Sequence, residues 1–310
     1  MSWISKVVSL FVKPKPPLPS LLELARCDGR ALQVIPEELV TEEMCLAAVG
    51  EFGHNLEYVP LRLRTKEVCL AAIERSLSAV AYVPEGLVAD EVLPIALRRD
   101  WQCLTFIPPR LLTRDICLLA VELYSLALAR IPDELRTEEV CLAAVQKYGV
   151  ALCEVPYQLL NERLCLLAVQ RYWGAIQYVP REYLTTEICL AAVLGDGLAL
   201  ELIPTKFRSE EICIAAVEQN AAALEHVPEN LCSEEVCLAA VRRDGRALVW
   251  VPARLRNEAI CLAAVSSDGM ALGLIPKAER TERICAAAAQ QNDAAAQYAP
   301  TQSAVQHEPN

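Results

Sequence analysis

Apolar and polar positions fall into blocks along this chain, and the blocks return every 24 residues. In one of them the apolar run Val140-Cys141-Leu142-Ala143-Ala144-Val145 follows the polar Thr137-Glu138-Glu139 and precedes Gln146-Lys147-Tyr148. A second apolar patch, from Ala151-Leu152 to Val155, then closes on Pro156. Prolines keep the beat without insertion or deletion: Pro36, Pro60, Pro84, Pro108, Pro132, Pro156, Pro180, Pro204, Pro228, Pro252, Pro276 and Pro300. A strict repeat of this length predicts a stacked solenoid, because one unit is too small to bury its own apolar face and depends on its neighbours. The fold class expected is all-α, an α-solenoid (superhelix) of about eleven 24-residue repeats over residues 21–300, opened by a half unit at 21–35.

Within a repeat, the residue five after the proline is Thr41, Thr65, Ala89, Thr113, Thr137, Asn161, Thr185, Ser209, Ser233, Asn257 or Thr281. All but Ala89 carry an oxygen that can accept from the free amides of a starting helix, so this position reads as an N-cap. Acidic pairs such as Glu42-Glu43, Glu138-Glu139, Glu210-Glu211 and Glu234-Glu235 follow it, where they complement the positive end of the helix dipole. That accounts for the glutamates without paired-carboxylate catalysis. The run 140–145 is apolar on every side, which predicts a helix buried from several directions. Gly53, Gly149, Gly197, Gly245 and Gly269 stand where the helix should end, suggesting a left-handed closing residue. Proline then suits a tight Pro-x-x-Leu turn with Leu39, Leu63, Leu87, Leu111, Leu135, Leu159, Leu231 and Leu255 tucked inward. Each unit is expected to be a helix of about eleven residues plus a brief α or 3₁₀ segment.

The motif Glu37-Glu38-Leu39, Thr41-Glu42-Glu43 and Cys45-Leu46-Ala47-Ala48-Val49 resembles a tandem-repeat family catalogued only as a domain of unknown function. The resemblance covers about residues 21–300. It implies an all-helical array and brings no activity, cofactor or catalytic residue with it. In length and in its helix-plus-turn build the unit is also similar to the leucine-rich repeat variants, although their motif is not this one.

Composition narrows the picture. The chain has 310 residues, 54% hydrophobic and only 5% aromatic, so Ala, Leu, Val, Ile and Cys must fill the core at close helix approach. A net charge of -11 argues against nucleic acid as the partner, since phosphate binding is driven by Lys and Arg. Of fourteen cysteines, ten (Cys45, Cys69, Cys117, Cys141, Cys165, Cys189, Cys213, Cys237, Cys261 and Cys285) share one repeat position, with Leu93 in place of the eleventh. Neighbouring helices about 8–10 Å apart cannot bring equivalent Cα atoms within disulfide range. These thiols read as small buried hydrophobes in a reducing, cytoplasmic compartment. His54, His226 and His307 fall at unrelated repeat positions and no Cys-x-x-Cys pair occurs, so neither metal nor cofactor is expected.

Outside the repeats, Trp3, Ile4, Val7, Val8 and Phe11 share one helical face, predicting an amphipathic helix over residues 1–12. It would either cover the end of the array or lie on a membrane surface, which makes a membrane-surface adaptor the alternative reading. Residues 13–20, Lys-Pro-Lys-Pro-Pro-Leu-Pro-Ser, read as a stiff Pro-rich linker, and 301–310 as a disordered tail.

Departures from the repeat are where function can sit. Pro94 falls inside a helix and predicts a delayed start or a kink near Leu93. Tyr124, Tyr148 and Tyr172 occupy one position in three successive repeats, with Trp101 and Trp173 one place later and Arg98, Arg99 and Arg171 beside them. Tyr, Trp and Arg dominate binding hot spots, so these eight residues are the candidate ridge for another protein or peptide. Tyr58, Tyr82, Phe106, Tyr178, Trp250 and Tyr298 form a second column read as structural. Arg64, Arg136, Arg208 and Arg280 recur at every third repeat, joined by Arg256, with no role evident from sequence. Without a phosphate loop or nucleophile motif, the chain reads as a non-enzymatic protein-protein interaction scaffold.

Overall fold

A computed structural model of the chain describes residues 18–87 and 92–299. The expected helix at 1–12, most of the linker, Ala89 and the tail lie outside the described residues. The chain divides into two compact units, one running to Lys147 with Glu154–Leu159 added, the other made of Tyr148–Cys153 and everything from Leu160 onward. All regular structure among the described residues is helical, and each unit is a stacked array of helical repeats.

In the first unit the α-helices are Leu18–Cys27, Glu42–Glu51, Lys66–Arg75, Leu93–Arg99, Arg114–Leu123 and Glu138–Lys147, with a single turn at Glu85–Leu87. In the second they are Glu162–Arg171, Thr186–Gly195, Glu210–Gln219, Glu234–Arg243, Glu258–Ser267 and Glu282–Gln291. A six-residue 3₁₀ helix follows most of them, for example Gly197–Leu202 and Ala221–His226, and then a three-residue 3₁₀ turn such as Glu229–Leu231. Within a unit, α-helices pack on α-helices and 3₁₀ segments on 3₁₀ segments, giving two layers. The helix at Leu18–Cys27 replaces the last three residues of the expected linker, with Pro19 in its first turn, where a missing amide donor costs nothing.

The helix starts follow the sequence closely. Each of Thr41, Thr65, Thr113, Thr137, Asn161, Thr185, Ser209, Ser233, Asn257 and Thr281 accepts from the amide three residues on, at 2.9–3.4 Å. The glutamate after the cap also reaches its neighbour: Glu42 accepts from Thr65 Oγ1 at 2.8 Å, Glu210 from Ser233 Oγ at 2.5 Å and Glu234 from Asn257 Nδ2 at 2.8 Å. The α-helix carrying Pro94 spans Leu93–Arg99, seven residues against the ten of Glu42–Glu51; whether it starts late turns on positions 88–91, which lie outside the described residues. Its N-cap position, Val92, has no capping side chain.

Burial is less complete than a wholly apolar run suggests. Ile212, Cys213, Ala216 and Val217 are fully buried, while Ile214 and Ala215 are half-buried and Leu194, on the preceding helix, is 65% exposed. A two-layer array covers one face of each α-helix and its flanks; the outer face remains open to water. The turn leucines Leu39, Leu63, Leu135 and Leu231 are likewise half-buried.

The glycines have a different cause from the one expected. None of Gly53, Gly149, Gly197, Gly245 and Gly269 takes a left-handed φ. The residue before, Phe52 or Asp196, ends the helix in extended geometry with its N–H still on the carbonyl four back. Gly149 instead lies against the Ala168 carbonyl, and Gly245 against that of Ala264, so close that a Cβ would overlap the oxygen. Close approach of repeat to repeat, not turn geometry, selects glycine here.

The recurring arginines are clamps. Arg64 donates through Nε to the Val59 carbonyl (2.9 Å), through Nη1 to that of Tyr82 (2.7 Å) and through Nη2 to that of Glu57 (3.0 Å). Arg136 repeats this on Ile131, Glu154 and Ala129, Arg208 on Ile203, His226 and Glu201, and Arg280 on Ile275, Tyr298 and Gly273. One guanidinium thereby ties its own 3₁₀ segment to the next, which uses the rigid donor fork that lysine lacks. Arg256 reaches only the Val251 carbonyl, at 3.2 Å, and its buried Nε has no partner. Elsewhere the same position holds a buried apolar side chain, Val40, Leu112 or Leu184.

Candidate functional site

The edge where α-helix gives way to 3₁₀ helix is built by one residue per repeat. Its backbone is extended, and its side chain faces the free amides of the 3₁₀ segment. An Asp or Asn there caps that segment: Asp196 accepts from the Leu198 N–H at 3.0 Å, Asn220 from Ala222 at 3.1 Å, Asp244 from Arg246 at 2.9 Å and Asp268 from Met270 at 2.9 Å. Asp28, Asp100 and Asn292 do the same. Tyr124 and Tyr172 hold this position with no side-chain cap, as does Phe52. These repeats forgo a contact that elsewhere contributes about 1 kcal/mol.

In the second unit the aromatic rings cluster. Tyr148 and Tyr172 lie with ring centroids 5.5 Å apart at 45°, and Tyr172 and Trp173 5.6 Å apart at 34°, the tilted arrangements aromatic pairs favour. The rings lean together to less than the roughly 9 Å expected from helix stacking. Two glycines make room for them. A Cβ on Gly174 would collide with the Tyr172 ring, and one on Gly195 with the Trp173 Cβ. Tyr148 is 43% exposed, Arg171 is exposed, and Tyr172 and Trp173 are half-buried. Leu194, next to Gly195, adds exposed apolar surface where other repeats carry Glu122, Gln146, Gln170 or Arg242. Sequence reasoning missed Leu194, although a leucine breaking an otherwise polar column is a readable signal.

The first unit has a smaller cluster of its own. Trp101 and Tyr124 lie 6.4 Å apart at 35°, with Tyr124 39% exposed. Arg99 pairs with Glu74 at 3.2 Å, and Arg98 reaches the Pro94 carbonyl of its own helix at 3.5 Å. Both arginines are therefore engaged within their unit. The eight candidate residues thus resolve into two groups, each complete within one unit.

The second aromatic column lies on the 3₁₀ layer. The carbonyls of Tyr82 and Tyr298 receive the arginine clamp, while the ring of Tyr178 is 39% exposed. Seven members of the cysteine column are chemically quiet. Burial pushes the thiols of Cys45, Cys69, Cys117, Cys141, Cys165, Cys189 and Cys213 up to about 11, so they stay protonated at neutral pH. Among the described residues no group of three or more His, Cys, Asp or Glu is arranged to hold a metal ion, and no helix is long and apolar enough to cross a membrane.

Residues 185–232 and 233–278 match, in tandem, the family model described as "Domain of unknown function (DUF4116)". The two matches begin at the equivalent N-caps Thr185 and Ser233, two repeats apart. No curated protein and no solved structure matches the chain. Fold and comparison agree on a tandem helical repeat protein.

Proposed function

We propose that this repeat array is a non-enzymatic scaffold whose second unit docks a segment of another protein on Tyr148, Tyr172 and Trp173, with Arg171 beside them. The observation that carries this reading is that tyrosines stand, partly exposed, where other repeats place a capping Asp or Asn. A position that forgoes a stabilising cap for an aromatic surface is one where binding is the simplest gain. Tyrosine and tryptophan supply large contact area at small entropic cost, and arginine adds a fork for a carboxylate. The segment recognised accordingly carries an apolar side chain to lie against the rings and an Asp or Glu to face Arg171.

A displayed library of random linear peptides tests this with the purified full chain. Wild type is expected to select sequences combining an apolar residue with Asp or Glu, and Tyr148→Ala with Tyr172→Ala to weaken binding of the selected peptides at least tenfold at unchanged thermal stability. Selected peptides that bind the double variant equally well would sink the proposal, as would a loss of stability that accounts for the loss of binding.

A further inference from the structure

Four residues after the marker proline, one repeat carries a cysteine where the others carry Val, Leu or Arg. Cys232 is 7% exposed and closes the turn Glu229–Leu231, its N–H on the Glu229 carbonyl at 3.4 Å. Its sulfur faces that of the fully buried Cys237 at 3.5 Å, one thiol donating to the other. Packing does not require sulfur at this place, since Val40 and Leu184 fill the equivalent position at 3% and 6% exposure. Two sulfurs at this distance need to approach by only about 1.5 Å to reach the length of a disulfide bond.

We propose that Cys232 and Cys237 form an oxidation site, at which a hydroperoxide converts the thiol pair to a disulfide that ties the junction turn to the helix Glu234–Arg243. Cys232 meets the oxidant, because it is the one of the two with exposed surface. Its thiolate attacks a peroxide oxygen, the O–O bond breaks, and Cys232 becomes a sulfenic acid while hydroxide leaves as water. The Cys237 sulfur then displaces the sulfenic hydroxyl; the S–S bond forms, and the Cys237 proton departs with that hydroxyl as a second water. Two thiols and one hydrogen peroxide become one disulfide and two waters, the sulfurs losing the two electrons that the peroxide gains. The order of attack agrees with the surroundings: burial first, then the contact with Cys232, pushes the Cys237 thiol up to about 12, so it enters as the resolving partner.

The full-length protein, reduced and desalted, is exposed to hydrogen peroxide, alkylated under denaturing conditions and cleaved after glutamate. That cleavage separates Cys232 (residues 230–234) from Cys237 (236–258) and from Cys213 (212–218). The expected product is peptide 230–234 joined to 236–258, two hydrogens lighter than the reduced pair and lost on adding dithiothreitol. It should appear at doses that leave the buried Cys141 and Cys189 fully alkylated. Cys232→Val, which mimics the repeat carrying Val40, should fold and leave Cys237 alkylated after the same exposure. The proposal is overturned if both cysteines are recovered as alkylated thiols at a dose that oxidises the exposed Cys27. It is also overturned if Cys232 is found joined to Cys213 or to any other cysteine.

Discussion

Two columns of the repeat respond differently to the same stacking. The interior position of Cys141, Cys165 and Cys189 holds one residue type with the single exception of Leu93, whereas the edge position directly after the helix varies among Asp, Asn, Tyr, Phe and, once, Ser76. At the interior position the side chains of Cys141, Cys165 and Cys189 are wholly buried, so size and polarity are dictated by packing. At the edge only the backbone is dictated: φ is near -150° whether the residue is Tyr172 or Asp196. The side chain there is left for other purposes. Constancy in this protein thus reports packing, and variation within a fixed backbone reports a choice between stability and surface.

Breaking the interior column should have the largest effect. Seven of its thiols hold their protons up to about 11, whereas the unfolded chain releases them near 9. Between those values the folded state binds more protons, so stability falls as pH rises, by roughly 1 kcal/mol per thiol for each pH unit. Together that is enough to unfold a domain of ordinary stability. Urea midpoints measured from pH 8 to pH 10.5 should collapse; a flat profile would show that burial does not govern this column.

The junction column, buried yet variable, lies between the two extremes. Arg208→Ala removes donors from three carbonyls and should cost about 2 kcal/mol in urea unfolding. Arg256→Leu removes a buried Nε without a partner and installs the residue of Leu112 and Leu184, so it should raise stability by about 1 kcal/mol. Equal losses from both substitutions would mean that the clamp is not what distinguishes them.

The edge column should show the smallest effects on stability, with opposite signs. Asp244→Ala removes a cap and should cost about 1 kcal/mol. Tyr148→Asn adds a cap of similar worth and loses about 0.5 kcal/mol of ring contact, for a small net gain. Thermal melts of the two variants read the difference directly; a loss at both sites would return Tyr148 to a structural role.

What was legible in the chain was whatever one side chain does to its nearest backbone. The N-caps from Thr41 to Thr281 and the proline turns are local events, and their signals are local. The Asp and Asn caps of the 3₁₀ segments are equally local and are written at Asp196, Asn220, Asp244 and Asp268, but the glycine that follows several of them carries the stronger helix-end signal. The arginine clamp was visible as a spacing and opaque as a cause, because its targets lie 5, 7 and 18 residues away and converge only once the 3₁₀ layer is built. The glycines illustrate the same limit, since contact with a carbonyl 19 positions on cannot be told from a left-handed turn in a one-dimensional reading. The aromatic candidates stand out by residue type; their division into two clusters, and the room left for them by Gly174 and Gly195, arise only from three-dimensional packing.

The hydroxyl of Ser233 on Glu210 and the amide of Asn257 on Glu234 make these two successive seams of the second unit copies of each other. Such a seam accepts any block as its successor, provided that the block is cut to the same length. Unequal crossing-over in the underlying coding sequence would therefore lengthen or shorten the array by whole periods with no mismatch at the join. A gain or loss of any other number of residues would leave Glu210 or Glu234 without its counterpart.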